Sequence, residues 1–263
     1  MSLTFCDSHA HLNDEAFAGD LEQVLAACVK VGVVRIVNVG FDEKSSVKAL
    51  EQATRHPALV ATVGLHPHDA RDFSPRTIDF LDSLCADPRV VAIGETGLDN
   101  YYDHSPVEKQ KEALEAHLEL AERVQLPVVI HCRDAYLELA ETLKANYHPE
   151  HVPWHVHCFN GNARELAELI ELDCYFSVGG MVTFKKFDGQ ELIRAMPADR
   201  LLLETDSPYL APHPRRGRRN DPSLLIYTAQ AMAAILEIEL EELSRLTNEN
   251  FNRIFRLGND NIA

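Results

Sequence analysis

The chain has 263 residues, 46% hydrophobic and 25% charged, and a formal net charge of −16. Its length fits one α/β barrel or two ordinary domains, and no apolar run is long enough to span a bilayer. A field this acidic repels polyanions, which excludes a tight nonspecific nucleic-acid binder built on a basic stripe but not an enzyme that works on strand ends.

In chain order, the first β-branched run, 3–6, leads into Asp7-Ser8-His9-Ala10-His11. Side chains two apart on a strand share a side, so His9 and His11 present two imidazoles to one point, a standard donor pair for a borderline metal. Taken alone, the pair reads equally well as two unrelated histidines. A helical pattern at 21–31 precedes a strand at 34–39, and a helix at 47–55 precedes a strand at 59–63. His66 follows in Gly64-Leu65-His66-Pro67-His68. It is a candidate to contact substrate or to donate a proton to the leaving group, and a structural hydrogen bond is the rival reading. After a helix at 77–85, a strand at 90–93 delivers Glu95.

A long helix at 107–124 precedes a strand at 128–130, which delivers His131, with Arg133 two residues on and placed to meet a phosphate. Beyond a helix at 136–146, the strand at 154–156 gives a second His-x-His, His155 and His157. His157 is favoured as the ligand because it lies nearer the C-terminal end of the strand. Cys132 and Cys158 flank these histidines, and strand parity turns both away as packing residues. A helix at 163–172, a strand at 174–178 and a helix at 192–196 precede the last strand, 201–203. That strand runs into Glu204-Thr205-Asp206-Ser207-Pro208, and helical patterns at 224–236 and 240–255 finish the chain. Two local basic clusters stand out, Lys185-Lys186 and Arg215-Arg216-Gly217-Arg218-Arg219; Arg216 and Arg218 are candidate phosphate contacts.

Strand and helix recur about every thirty residues, the span of a βα unit. Short continuous apolar runs suit strands buried on both faces of a parallel sheet. Eight of them predict a TIM-type (β/α)8 barrel, one domain over 1–263 with extra C-terminal helices. Catalytic side chains in such a barrel sit at the C-terminal strand ends, where His9, His11, His66, Glu95, His131, His157 and Asp206 all fall. Six cysteines without a Cys-x-x-Cys pair, and an N-terminus without a signal-like segment, lead us to expect a cytoplasmic protein with reduced thiols.

Four imidazoles, one glutamate and one aspartate can hold two divalent ions if one carboxylate bridges them. Glu95, at mid-chain, is the natural bridge. Such a pair polarises a phosphoryl or carbonyl oxygen and brings the pKa of a water toward neutrality, so the expected reaction is hydrolysis. Asp206 is suited both to bind a metal and to take the proton from the attacking water. Glu204, deeper on the same side, reads as an outer partner that orients ligands. Asp7 stands in the same relation to His9, and a buried ion pair is the alternative for both. Ligand softness favours Zn²⁺, Mn²⁺ or Fe over Mg²⁺, although nucleases commonly use Mg²⁺.

His9-Ala10-His11-Leu12, Gly64-Leu65-His66-Pro67, Gly94-Glu95-Thr96-Gly97-Leu98-Asp99 and His131-Cys132-Arg133-Asp134-Ala135 resemble the motifs of the TatD-type metal-dependent deoxyribonucleases. So do His157-Cys158-Phe159-Asn160-Gly161, Gly180-Met181-Val182-Thr183-Phe184-Lys185 and the run from Leu202 to Asn220. The resemblance covers nearly the whole chain. It implies an amidohydrolase-like TIM barrel with two divalent ions (Mg²⁺, Mn²⁺ or Zn²⁺) and a 3′–5′ exonuclease-type cleavage of DNA ends, single-stranded DNA foremost. Carried over by position, it assigns His9, His11, Glu95 and Asp206 to one ion, and Glu95, His131 and His157 to the other. Asn160 departs from the serine usual there, and Asn100 intervenes before Tyr101-Tyr102. The alternative is a dinuclear amidohydrolase-type enzyme cleaving a C–N or ester bond in a small molecule or aminoacyl-tRNA. Related barrels of that type often bridge their metals with a carboxylated lysine, and Glu95 stands where it would be. A non-catalytic scaffold barrel is the third reading.

Overall fold

The computed structural model describes residues 3–258. Eight strands follow one another around the sheet in chain order: β1 (Phe5–Ala10), β2 (Val33–Val39), β3 (Leu59–Val63), β4 (Val90–Asp99), β5 (Val128–Arg133), β6 (Trp154–Val156), β7 (Tyr175–Val178) and β8 (Leu201–Leu203). Consecutive strands pair in parallel. Closure of the barrel comes just past β8, where the His11 N–H donates to the Ser207 carbonyl at 2.7 Å and the Asp206 N–H to the His9 carbonyl at 2.9 Å. Helices α1 (Leu21–Lys30), α2 (Glu43–Arg55), α3 (Pro75–Leu84), α4 (Val107–Val124), α5 (Tyr136–Ala145), α6 (Ala163–Ile170) and α7 (Gln190–Ala195) connect the strands. After β8 come α8 (Leu225–Leu236), which completes the eighth unit, and α9 (Leu240–Ile254).

Each strand is buried along almost its whole length, as a parallel sheet covered by helices requires. The extra helix α9 covers the N-terminal end of the barrel. Phe251, Ile254 and Phe255 pack against Cys6, Val37, Val60, Val91, Val129 and Leu202. Asn250 ties this helix to β8 by donating to the carbonyls of Ala198 and Leu201 at 2.8 and 2.9 Å. With one end closed in this way, the opposite mouth is the one left for chemistry.

Strands β1 and β5, read as 3–6 and 128–130, run on through Ala10 and Arg133, and two further elements differ from the sequence reading for clear physical reasons. Helix α2 starts four residues early because Asp42 caps it: its carboxylate accepts the Ser45 N–H at 2.5 Å while Ser45 Oγ accepts the Asp42 N–H at 2.8 Å, a reciprocal cap. Strand β4 does not stop at Ile93 but continues through Glu95 to Asp99. Gly94 makes this possible. It sits at φ +126°, and a Cβ there would collide with the Val129 carbonyl of β5. Gly64, at the end of β3, packs so closely on Gly94 that a Cβ on it would strike the Gly94 backbone. The two glycines let three strands converge and carry Glu95 into the barrel, where it is 2% exposed.

Candidate metal centre

Glu95 is the hub of the mouth. Its Oε1 lies 2.9 Å from His157 Nε2, 3.1 Å from His131 Nδ1 and 3.4 Å from His66 Nε2. Its Oε2 lies 3.4 Å from His9 Nε2 and 3.6 Å from His11 Nε2. Asp206 Oδ1 approaches His11 Nε2 at 3.6 Å and His9 Nε2 at 3.9 Å. All six side chains singled out in the sequence as ligands therefore meet at one place. Three clusters at this mouth have the reach of a coordination sphere: His9, His11 and Asp206; His9, Glu95 and His157; and His66, His68 and His131.

In their neutral forms, two of the rings are fixed in one tautomer by their partners. His11 Nδ1 lies 3.1 Å from the Val39 carbonyl, which only accepts, so Nδ1 carries the hydrogen and Nε2 does not. His131 Nε2 lies 2.9 Å from Asp99 Oδ2, which leaves Nδ1 as the acceptor aimed at Glu95. Burial, with His157 stacked 3.8 Å away, pushes His9 down to about 3, so this ring is neutral. Burial works to raise Glu95, but the surrounding His157, His66 and His9 outweigh it and hold the carboxyl well below its usual range. His9 Nε2 and His11 Nε2 are 3.2 Å apart, and His9 Nδ1 has no hydrogen-bond partner among the described residues. Burial works to lower His11, His131 and His157, but Asp206 and Glu95 raise the first, Asp99 and Glu95 the second, and Glu95 and Glu204 the third. A cation held here would displace those protons, and imidazoles around an ionised carboxylate form a donor set that fits divalent ions.

An outer ring of contacts holds these groups. Glu204 Oε2 lies 3.6 Å from His157 Nδ1 and accepts the Ser177 hydroxyl at 2.5 Å. His155 Nε2 lies 2.6 Å from Ser177 Oγ. It faces that serine and not the centre, which settles its place left open by strand parity. Asp7 departs from both sequence readings. Its carboxyl accepts the N–H of Thr205 at 3.0 Å and of His9 at 3.2 Å, and bonds the Thr205 hydroxyl at 2.6 Å. It clamps β1 to the segment after β8 and reaches His9 through the backbone N–H, with neither an ion pair nor a contact to a ligand ring among the described residues. Cys158 is a correction. Its φ of +48° breaks strand parity, and the thiol, pushed up by burial and then by Glu204 and Asp206, lies beside the centre and not behind it.

Asp99 and His68 were not picked out as site residues from the sequence. Asp99 Oδ2 accepts from His131 and, at 3.0 Å, from His68 Nε2, while its Oδ1 accepts the N–H groups of Tyr101 and Tyr102, each at 2.9 Å. A signal existed: Glu95, Gly97 and Asp99 alternate on one strand and share a side. His66 has a different orientation from the other rings. Its Nδ1 accepts the His68 N–H at 3.1 Å, and burial pushes it down to about 4. The neutral ring thus carries its hydrogen on Nε2, pointing into the centre as a donor. On the rim, Arg133 lies over Tyr101, and the exposed Arg216 lies over Phe184 at 3.6 Å. Arg218 is exposed, whereas Arg219 is held by Asp20 at 2.7 Å.

His117 of α4 braces the loop before His66. Its Nδ1–H donates to the Ala113 carbonyl at 2.6 Å and its Nε2 accepts the Leu65 N–H at 3.1 Å. Burial lowers its pKa from 6.5 to about 4. The unfolded chain therefore binds this proton more readily, and the stabilisation, full above about pH 6.5, is lost as pH falls through about 4. The amount is about 3 kcal/mol. His117→Gln is expected to flatten the acid limb of Tm against pH between those values; identical slopes in both proteins would refute it.

The family model for TatD-related DNases matches residues 6–256. An uncharacterized metal-dependent hydrolase of Bacillus subtilis, YabD, is 42% identical over 96% of this chain and 99% of its own length. A 3′-5′ ssDNA/RNA exonuclease TatD of Erwinia billingiae is 36% identical over 95% of this chain and 98% of its own. Among solved structures, the TatD homologue YjjV of Escherichia coli K12 superposes with a TM-score of 0.92 at 28% identity, covering 98% of this chain and all of that one.

Proposed function

Because the chain belongs to the TatD family of metal-dependent hydrolases, we propose that it removes nucleotides from the 3′ ends of single-stranded DNA. One observation carries this reading: each oxygen of Glu95 faces its own set of imidazoles, with Asp206 at the open side. His9, His11, Glu95 and Asp206 would hold one divalent ion, and Glu95, His131 and His157 a second. Ions held there (Mg²⁺, Mn²⁺ or Zn²⁺) would polarise a phosphoryl oxygen and lower the pKa of a water.

The chain's own groups do the rest. Asp206, whose side chain is 15% exposed at the mouth, takes the proton of the attacking water. His66 Nε2–H hydrogen-bonds a non-bridging oxygen of the scissile phosphate and keeps its proton, since the neutral ring has Nδ1 occupied by the His68 N–H. Glu204 fixes the His157 ring, and Asp99 fixes His131 in the tautomer that frees Nδ1. Arg133, Arg216 and Arg218 meet the phosphates of the strand. The 36% identity to a relative named as a 3′-5′ ssDNA/RNA exonuclease supports this substrate over a C–N or carboxylic ester bond. All six cysteines are free, as suits a reducing compartment such as the cytoplasm.

A time course on 5′-labelled single-stranded and duplex oligonucleotides, with and without Mg²⁺ or Mn²⁺, tests the proposal. The expected products are a ladder shortening from the 3′ end, faster on single strands, abolished by chelator and restored by divalent ions. Intact oligonucleotides in every metal would overturn it. Arg216→Ala is expected to raise KM on oligonucleotides about three- to tenfold with little change in kcat, the worth of one exposed charge-assisted contact. An unchanged KM would remove Arg216 from the substrate path.

A further inference from the structure

Between the ends of β4 and β5 the rim carries an aromatic surface that the chemistry above leaves unused. Tyr101 and Tyr102 are 57% and 42% exposed and stand edge to face, 4.8 Å apart. The Arg133 guanidinium lies 3.7 Å from the Tyr101 ring centre and 5.1 Å from that of Tyr102. Tyr102 stacks on His104 with planes 16° apart, and both rings approach His68. Large exposed rings beside an arginine are costly to leave in water without a purpose.

The surface is fixed to the centre through one carboxylate. Asp99 takes the backbone N–H groups of both tyrosines on one oxygen and His131 on the other. Asn100 pins the same turn from two sides: its N–H donates to the Arg133 carbonyl at 2.9 Å and its side-chain amide to Glu138 at 3.0 Å. The platform is therefore preorganised, and a ligand spends little free energy in ordering it.

We propose that Tyr101, Tyr102 and Arg133 form a stacking subsite for an unpaired base of the single strand whose end lies at the metal centre. This inference rests on the exonuclease reading. With a net charge of −16, long-range attraction cannot gather the strand, so affinity must come from local contacts. Base-on-aromatic stacking supplies about tenfold or more per base and tolerates any sequence. One face of Arg133 covers Tyr101, while the guanidinium edge keeps its N–H donors for the adjoining phosphate. A paired base is already stacked inside its duplex, so the subsite selects single strands.

The test is binding of fluorescein-labelled single-stranded DNA by the Mn²⁺-loaded protein, followed by anisotropy. Phosphorothioate linkages at the 3′ end block cleavage, and an abasic spacer replaces one base at a time near that end. Wild type should lose about tenfold in affinity at one spacer position. The double variant Tyr101→Phe/Tyr102→Phe should keep that penalty, and Tyr101→Ala/Tyr102→Ala should lose it. Neither substitution removes the backbone N–H groups that hold Asp99. A wild type indifferent to the spacer at every position, or an alanine pair that keeps the full penalty, would overturn the subsite. If the penalty behaves as expected but unmodified DNA is never cleaved, the subsite stands and the exonuclease reading falls.

Discussion

Glu95→Gln should yield a folded barrel with hydrolysis reduced by about a thousandfold or more, an order of magnitude beyond the loss typical of an outer-ring partner. The side chain keeps its size and burial, so packing around Gly64, Gly94 and Val129 survives. What disappears is the single negative charge toward which His9, His11, His66, His131 and His157 converge. An amide offers one acceptor oxygen and one NH₂ donor, and the NH₂ cannot ligate a cation, so the group cannot serve two ions at once. Circular dichroism and the thermal midpoint check the fold, and a radiolabelled oligonucleotide assay checks the rate. Undiminished cleavage would remove Glu95 from the bridging position.

Asp206→Asn should cut kcat by about a hundredfold to a thousandfold, the range for a positioned general base. Asp206 sits at φ +52°, a conformation that asparagine tolerates nearly as well as aspartate. Its backbone N–H bond to the His9 carbonyl is untouched, so stability should change little. The amide carbonyl can still approach a cation but cannot take a proton. Retained divalent-ion affinity with collapsed kcat is the expected signature. Retained kcat would assign the proton to another group.

Much of this was legible in the chain. Apolar runs such as 59–63, 154–156 and 201–203 became strands with those same limits, as short runs buried on both faces should. His9, Glu95, His131, His157 and Asp206 were visible because each lies within three residues of the end of such a run. The length of β4 was not visible. It depends on Gly94 and Gly64 touching across strands, a contact that no local pattern records. The side on which Cys158 lies was misjudged because parity holds only for extended backbone, and its left-handed conformation inverts the direction. His155 was ambiguous because the residue that captures it, Ser177, belongs to the neighbouring strand. His68 was passed over because its partner, Asp99, lies thirty-one residues away.

Metal stoichiometry tests the central claim most directly. Apo protein prepared with chelator is titrated with Mn²⁺ by calorimetry, wild type beside Glu95→Gln. A shared carboxylate predicts two equivalents in wild type and the loss of at least one in the variant. Two equivalents bound with equal affinity by both proteins would show that the ions, wherever they sit, do not depend on Glu95, and the account of the mouth given above would be wrong.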